Sequence, residues 1–290
     1  MVDVSVILAT RNGHALPEIW SEETLAQAHT LAVEARANRN CPGSDSMLSI
    51  IVPVLNEETN ISEFLDVPGL SSHYFGEVLI VDGGSSDNTL ETAKKYRKVK
   101  CFTCTTDREY GARNFGASVA KGEYLLFLDA DTLVYPEMFR RIYKSIRAGI
   151  DCLASTDTTV SENFLWKMQS HGYNLVRILL ARLKLRFFTT GNFILIRKDA
   201  FNSLGGFEED INGDGRLGTK VTANKLSYAL LNCYRYVYVS GRRAKDGILS
   251  VNKYYFYGIE NFFPLLNKFD FFRKKRNLFN QLWKNKSARS

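Results

Sequence analysis

From residue 47 onward, short apolar runs alternate with stretches of mixed polarity. Leu48–Val54, Glu77–Val81, Lys100–Thr105 and Tyr124–Leu128 read as strands, and the last is a continuous apolar run of the kind buried on both faces of a sheet. Between them, Glu58–Leu65, Asn88–Tyr96 and Gly111–Lys121 read as helices, the third with small residues along one face. Strand and helix in alternation, joined by short connections, predict an α/β fold with a mostly parallel sheet flanked by helices. Such sheets bind ligands outside the carboxyl ends of their strands. Here those ends are Pro53 to Glu57, Asp82 to Asp87 and Asp129 to Asp131.

The pattern is less regular elsewhere. Residues 1–46 hold a short strand at Val4–Ala9, an Ala-rich helix at Ser21–Arg39 and a linker at Cys41-Pro42-Gly43-Ser44, and suggest no chemistry. Phe164–Arg186 has helical spacing, with Leu175, Ile178, Leu179 and Leu183 on one stripe. Such a stripe is expected to pack on a core, an acceptor-facing or membrane-facing role being the secondary reading. Lys220–Leu231 reads as a later helix. Residues 251–290 turn aromatic (Tyr254, Tyr255, Phe256, Tyr257, Phe262, Phe263) and then basic (Arg273-Lys274-Lys275-Arg276). That order suits peripheral contact with an anionic bilayer and equally suits a helix packed on the body.

Composition narrows the class. The chain has 290 residues, 45% hydrophobic and 24% charged, enough for one large core with appendages. Its formal charge is +7, yet Lys268–Ser290 carries eight Lys or Arg against Asp270 alone, so the remainder is neutral. A nucleic-acid groove over the body is therefore not expected. The five cysteines lack the spacing of a disulfide framework, and Cys101-Phe102-Thr103-Cys104 has no second pair to complete a zinc site. Reduced thiols in a cytoplasmic protein are the expectation. No signal peptide and no spanning segment are evident.

Two features carry chemistry. Asp129 and Asp131 stand one residue apart at a strand tip, where paired carboxylates need a cation or a positive side chain between them. Hard divalent ions such as Mg²⁺ or Mn²⁺ bridge carboxylates of this kind to substrate phosphates. The turn Asp82-Gly83-Gly84-Ser85-Ser86-Asp87 would let backbone N–H groups approach a ligand, with Asp82 accepting from a base or ribose. A dinucleotide G-x-G-x-x-G fingerprint is absent, which argues against NAD.

Taken as an ordered series, LSIIVPVLNEETNI, EVLIVDGGSSDNTLE and GARNFGASVAKGEYLLFLDADT resemble the nucleotide-sugar half of a family 2 glycosyltransferase of the GT-A fold, a Rossmann-like arrangement. The resemblance continues through Thr190-Gly191-Asn192-Phe193 and Arg197-Lys198-Asp199-Ala200-Phe201 to Gly205-Gly206-Phe207. It implies a GT-A domain over 47–250, with a nucleotide-sugar half at 47–136 and an acceptor half at 137–250. Carried over, Pro53, Asn56, Glu57, Asp82, Gly83, Ser85, Arg113 and Asp129 would bind the nucleotide sugar. Asp131 and Asp129 would hold Mn²⁺ or Mg²⁺.

The family's general base is the Asp of a Glu-Asp pair that opens a helix after Gly-Gly-Phe. This chain has Glu208-Glu209-Asp210-Ile211-Asn212-Gly213-Asp214, so Asp214 is the leading candidate and Asp210 the second, with Gly213 where the family has Glu. The resemblance implies transfer, with inversion, from a nucleoside diphosphate sugar, UDP by family habit, to an acceptor hydroxyl. A lipid-linked acceptor at the inner face of the membrane would suit the tail. Two alternatives compete: a phosphatase of the haloacid dehalogenase type with Asp129 as nucleophile and Asp131 as acid, and a noncatalytic nucleotide-sugar binder.

Overall fold

The computed structural model describes residues 48–66, 75–104, 109–160, 164–208, 213–232 and 237–240. The expectations for residues 1–46, for Asp210 and for the tail at 251–290 lie outside them. A seven-stranded sheet is built from β1 (Leu48–Val54), β2 (Glu77–Asp82), β3 (Val99–Thr103), β4 (Tyr124–Leu128), β6 (Cys152–Ser155), β8 (Phe193–Arg197) and β9 (Tyr228–Leu231) in the order β3-β2-β1-β4-β8-β6-β9. The first four run parallel, whereas β8 is antiparallel to both β4 and β6. A smaller sheet, β5-β10-β7, joins β5 (Thr132–Val134), β10 (Val237–Ser240) and β7 (Thr158–Val160).

The central strands divide their side chains between two cores, as a sheet covered on both faces must. Leu48, Ile50, Val52 and Val54 of β1 and Tyr124, Leu126 and Leu128 of β4 join Ile61 and Phe64 of α1 (Glu58–Asp66) and Ala93 of α2 (Thr89–Ala93) on one face. Ile51, Leu125 and Phe127 join Ala112, Ala117 and Ala120, at α3 (Glu109–Val119) and its end, on the other. Each large apolar side chain fully buried in this way contributes about 1.5–3 kcal/mol. Gly116 sets how closely α3 lies on the sheet, since a Cβ there would come 2.5 Å from Ile51 Cγ2. Cys101 and Cys104, both free thiols, pack towards opposite cores, which agrees with strand packing rather than a paired role.

The helix α4 (Pro136–Arg147) follows the same rule of apolar side inward. Met138, Phe139, Ile142, Tyr143 and Ile146 are buried, while Arg140, Arg141, Lys144 and Arg147 lie on other faces. The helix α5 (Phe164–Arg182) breaks it. Its buried residues are Ser170, Asn174 and Arg177, and the leucine stripe expected to pack on a core instead faces outward. Polar satisfaction fixes this orientation. Arg177 donates to Asn174 Oδ1 at 2.9 Å and to the carbonyls of Ser155 at 3.1 Å and Phe188 at 3.3 Å, while Asn174 donates to the carbonyl of Asp157 at 3.0 Å. Ser170 Oγ lies 3.0 Å from Thr159 Oγ1.

A second correction falls on Lys220–Leu231. After the short α6 (Lys198–Ser203), the next helix, α7, spans Gly213–Ala223, and Tyr228–Leu231 is strand β9, paired in parallel with β6. The chain leaves the helix through Lys225 at φ 54°, with Leu226 N–H returning to the Val221 carbonyl at 3.1 Å. That is a left-handed helix stop, after which four apolar residues find an open strand edge.

Candidate active site

The sheet order reverses between β1 and β4, and a crevice at their carboxyl ends is the expected ligand site of such a topology. The loops after β1 and β2 are laced together there. Asn56 adopts φ 55°, a left-handed conformation that Asn tolerates better than most residues, and its Oδ1 accepts from Ser86 N–H at 2.8 Å. Asn56 N–H donates to Ser85 Oγ at 2.9 Å, and Glu57 N–H to Thr89 Oγ1 at 2.8 Å. Glu57 is buried at the start of α1, with Oε2 accepting from Asn60 at 2.6 Å. Pro53, paired with Val81, occupies the last turn of β1 before this loop.

Asp82 is buried, and its carboxylate faces its own turn. It accepts from Gly84 N–H and Ser85 N–H, both at 3.1 Å, and from the Ser85 hydroxyl. The turn amides expected to meet a ligand are thus directed at Asp82. Gly84, at φ +103°, needs the freedom of glycine; Gly83 meets only ordinary contacts.

Arg113 links the two halves. It projects from α3 with its guanidinium fully buried, donating to the Gly191 carbonyl at 2.8 Å and forming an ion pair with Asp129 Oδ1. A planar fork with several donors is suited to two partners in different directions. From the same residue, Gly191 N–H donates to Asp214 Oδ2 at 2.7 Å. Asp214 stands in the first turn of α7, with Oδ1 accepting from Tyr110 Oη at 3.0 Å and from Gly215 N–H at 2.8 Å. Asp129, Arg113, Gly191, Asp214 and Tyr110 therefore form one continuous polar chain.

The departure at Gly213 has a steric account. A Cβ at that position would meet the Glu208 carbonyl oxygen and the Tyr110 ring, the latter at 3.1 Å. Tyr110 takes that space and directs its hydroxyl at Asp214. The Gly205-Gly206-Phe207 turn is anchored by Asn114, which donates to the Phe207 carbonyl at 2.9 Å and accepts from Phe207 N–H at 3.0 Å.

Sequence reasoning missed a further acid, Asp157, whose half-buried carboxylate lies 3.8 Å from Arg177. Burial pushes the Asp157 carboxyl above its usual range, against the opposing pull of Arg177, of a hydrogen bond from Asn192 and of His171. Tyr173 is raised as well, first by burial and further by Asp214 and Asp157, with Arg177 opposing. Tyr110, Asp157, Tyr173 and Arg177 carry no motif; only the three-dimensional arrangement sets Tyr110 and Tyr173 against Asp214, and Asp157 and Arg177 against Tyr173.

Asp131 is buried two residues beyond Asp129, in a turn where the Asp129 carbonyl accepts from Thr132 N–H at 3.0 Å. Among the described residues, no group of three or more His, Cys, Asp or Glu side chains converges to hold a metal. One or two carboxylates completed by substrate phosphates is a common arrangement for Mg²⁺. The all-oxygen pair Asp129 and Asp131 fits that requirement.

Solved structures define the class. TarS of S. aureus superposes with a TM-score of 0.54 at 24% identity, over 67% of this chain and 58% of that one. Glucosyl-3-phosphoglycerate synthase of Mycobacterium tuberculosis gives a TM-score of 0.54 at 18% identity, over 82% of each chain. The fold is that of the GT-A glycosyltransferases. At the level of sequence, the model of the family described as "Glycosyl transferase family 2" matches residues 49–205, more than half of the chain, and the protein belongs to that family. The poly(ribitol-phosphate) beta-glucosyltransferase of Bacillus spizizenii is 34% identical over 104 residues, 33% of this chain but only 16% of that protein's length. Family membership sets aside the phosphatase reading.

Proposed function

We propose that this chain is a metal-dependent glycosyltransferase that moves a sugar from a nucleoside diphosphate sugar, UDP-based, to an acceptor hydroxyl with inversion, in glycan, glycolipid or cell-surface polysaccharide synthesis. The observation that carries this reading is the polar chain from Asp129 through Arg113 and Gly191 to Asp214, which joins the donor-side strand tip to an acid on the acceptor side. Residues 47–136 would form the nucleotide-sugar half and 137–250 the acceptor half.

In this scheme Pro53, Asn56, Glu57 and the turn at Asp82, Gly83 and Ser85 shape the cleft for base and ribose. Asp82 acts by holding that turn. Arg113, buried beneath the strand tip, would lie near the diphosphate, holding Asp129 in place and adding positive field as the anomeric C–O bond breaks. Mn²⁺ or Mg²⁺, held by Asp131 with Asp129, would supply further positive charge against the leaving diphosphate. Asp214 takes the proton of the attacking hydroxyl, and Tyr110 Oη, Gly215 N–H and Gly191 N–H orient its carboxylate. TarS was solved with UDP-GlcNAc, and the mycobacterial synthase with Mn²⁺ and UDP, which supports the choice of base and metal.

The test is incubation with a panel of UDP-, GDP- and dTDP-sugars plus Mn²⁺, following release of nucleoside diphosphate. Release from a UDP-sugar, stimulated by an acceptor and abolished by chelation, is expected. Binding of every donor without release across a broad acceptor panel would favour the noncatalytic reading. Release without metal would remove the metal role.

A further inference from the structure

The inversion of α5 leaves an apolar strip on the surface. Phe164, Met168, Leu175, Leu179 and Leu183 recur at intervals of three to four residues or their sum, and so lie along one stripe that runs just past the helix end. They are 69%, 56%, 62%, 56% and 57% exposed. The stripe extends for about 28 Å at the rise of an α-helix. Monomeric proteins rarely show contiguous apolar surface on this scale without a use for it. The helix cannot roll to bury the stripe without tearing Arg177 and Asn174 from the carbonyls of Ser155, Phe188 and Asp157.

Charge selects the occupant. Lys167, Arg182 and Lys184 are exposed beside the stripe, and from Phe164 to Lys198 the chain contains no Asp or Glu at all. A second copy of this face would set cation against cation, so self-association through it is disfavoured. A surface that is both apolar and anionic satisfies both features, and long basic side chains can lay their stems along the apolar part while their heads reach phosphates. No helix among the described residues is long and apolar enough to cross a membrane, so α5 would lie in the plane of the interface.

We propose that the outward face of α5 docks the protein on an anionic lipid bilayer. The inner face of the same helix carries Arg177 and Tyr173, which interact electrostatically with Asp157 and, for Tyr173, with Asp214. Docking would therefore set the acceptor-side acid at a fixed height above the headgroups, on the side of the helix away from the lipid.

The experiment is sedimentation of the full chain with phosphatidylcholine vesicles and with equimolar phosphatidylcholine and phosphatidylglycerol. Binding to the anionic vesicles, weakened by salt and absent from phosphatidylcholine alone, is expected. Leu175→Glu with Leu179→Glu should lower partitioning by about a hundredfold, since each leucine withdraws from lipid. Leu175→Ser with Leu179→Ser should act in the same direction without added charge, and unchanged melting of both variants would exclude misfolding. Wild-type failure to bind, or variants that bind as the wild type does, would overturn the proposal. So would a dimer in solution that these substitutions dissociate, because the occupant would then be a second copy. Donor binding by the same variants reports separately on the catalytic reading.

Discussion

The two ends of the central sheet both carry buried carboxylates, and they use them differently. At the amino end, Glu77 of β2 is closed off by its own fold: Oε1 accepts from Ser49 Oγ at 2.8 Å and Lys121 N–H at 2.7 Å, and Oε2 from Lys100 at 2.6 Å. Burial raises its carboxyl, but the bonds from Lys100, Lys121 and Ser49 outweigh that and hold it below the ordinary range. At the carboxyl end, Asp129 and Asp214 also have partners, but those partners join residues distant in sequence around the crevice. Asp131 adds a second acid at the tip. Paired carboxylates are costly in an isolated protein and useful beside a charged ligand. The difference teaches that a buried acid is read by what its partners connect. Glu77 fastens three strand starts, whereas the acids opposite join the halves of a candidate site.

The comparison can be broken at either end. The largest effect is expected at Asp214. Asp214→Asn should lower turnover by about 10²–10⁴ while donor affinity and melting temperature stay close to wild type. Steady-state release of nucleoside diphosphate checks the first and calorimetry the second. Glu77→Gln should do the reverse, costing about 1–3 kcal/mol of stability with turnover unchanged, as read from urea unfolding. Because the Glu77 carboxyl is depressed in the folded state, its contribution is present at neutral pH and is lost as pH falls below the usual carboxylate range.

Smaller changes sharpen the contrast. Tyr110→Phe removes one donor from Asp214 and should cost less than about tenfold in turnover, read from release of nucleoside diphosphate, with donor affinity unchanged. Glu63 of α1 belongs to neither group. Burial, aided by Asp66, pushes its carboxyl up to about 7, and neither oxygen has a hydrogen-bond partner among the described residues. The folded state therefore holds this proton more tightly than the unfolded state, and stability declines as pH rises from about 4.5 through about 7. Glu63→Gln should raise stability by about 1 kcal/mol at pH 8 and by little at pH 5, a change visible in thermal melts.

Much of this was legible in the sequence because it depends on local periodicity. The apolar runs at Leu48–Val54 and Tyr124–Leu128 became the paired central strands β1 and β4, and the acids at Asp129 and Asp131 fell at a strand tip as expected. Asp214 was expected just ahead of a helix at Lys220–Leu231, and instead stands in the first turn of one that begins at Gly213. What failed was long-range. No pattern in Phe164–Arg182 announces that Arg177 will be buried against carbonyls from Ser155 and Phe188, and once it is, the leucines must turn outward. In the same way Tyr228–Leu231 is apolar enough for a helix, and only the vacant edge of β6 makes it a strand. Tyr110 reaches Asp214 across 104 positions of sequence, a partnership visible only in space.

The central claim is that Asp131, with Asp129 and Arg113, forms a donor site completed by a divalent cation. Calorimetric titration of UDP-sugar into wild type and Asp131→Asn, each with and without Mn²⁺, tests it most directly. The account predicts Mn²⁺-dependent binding to wild type that Asp131→Asn weakens by more than about tenfold, down to the metal-free level. Equal affinities in all four titrations would contradict it.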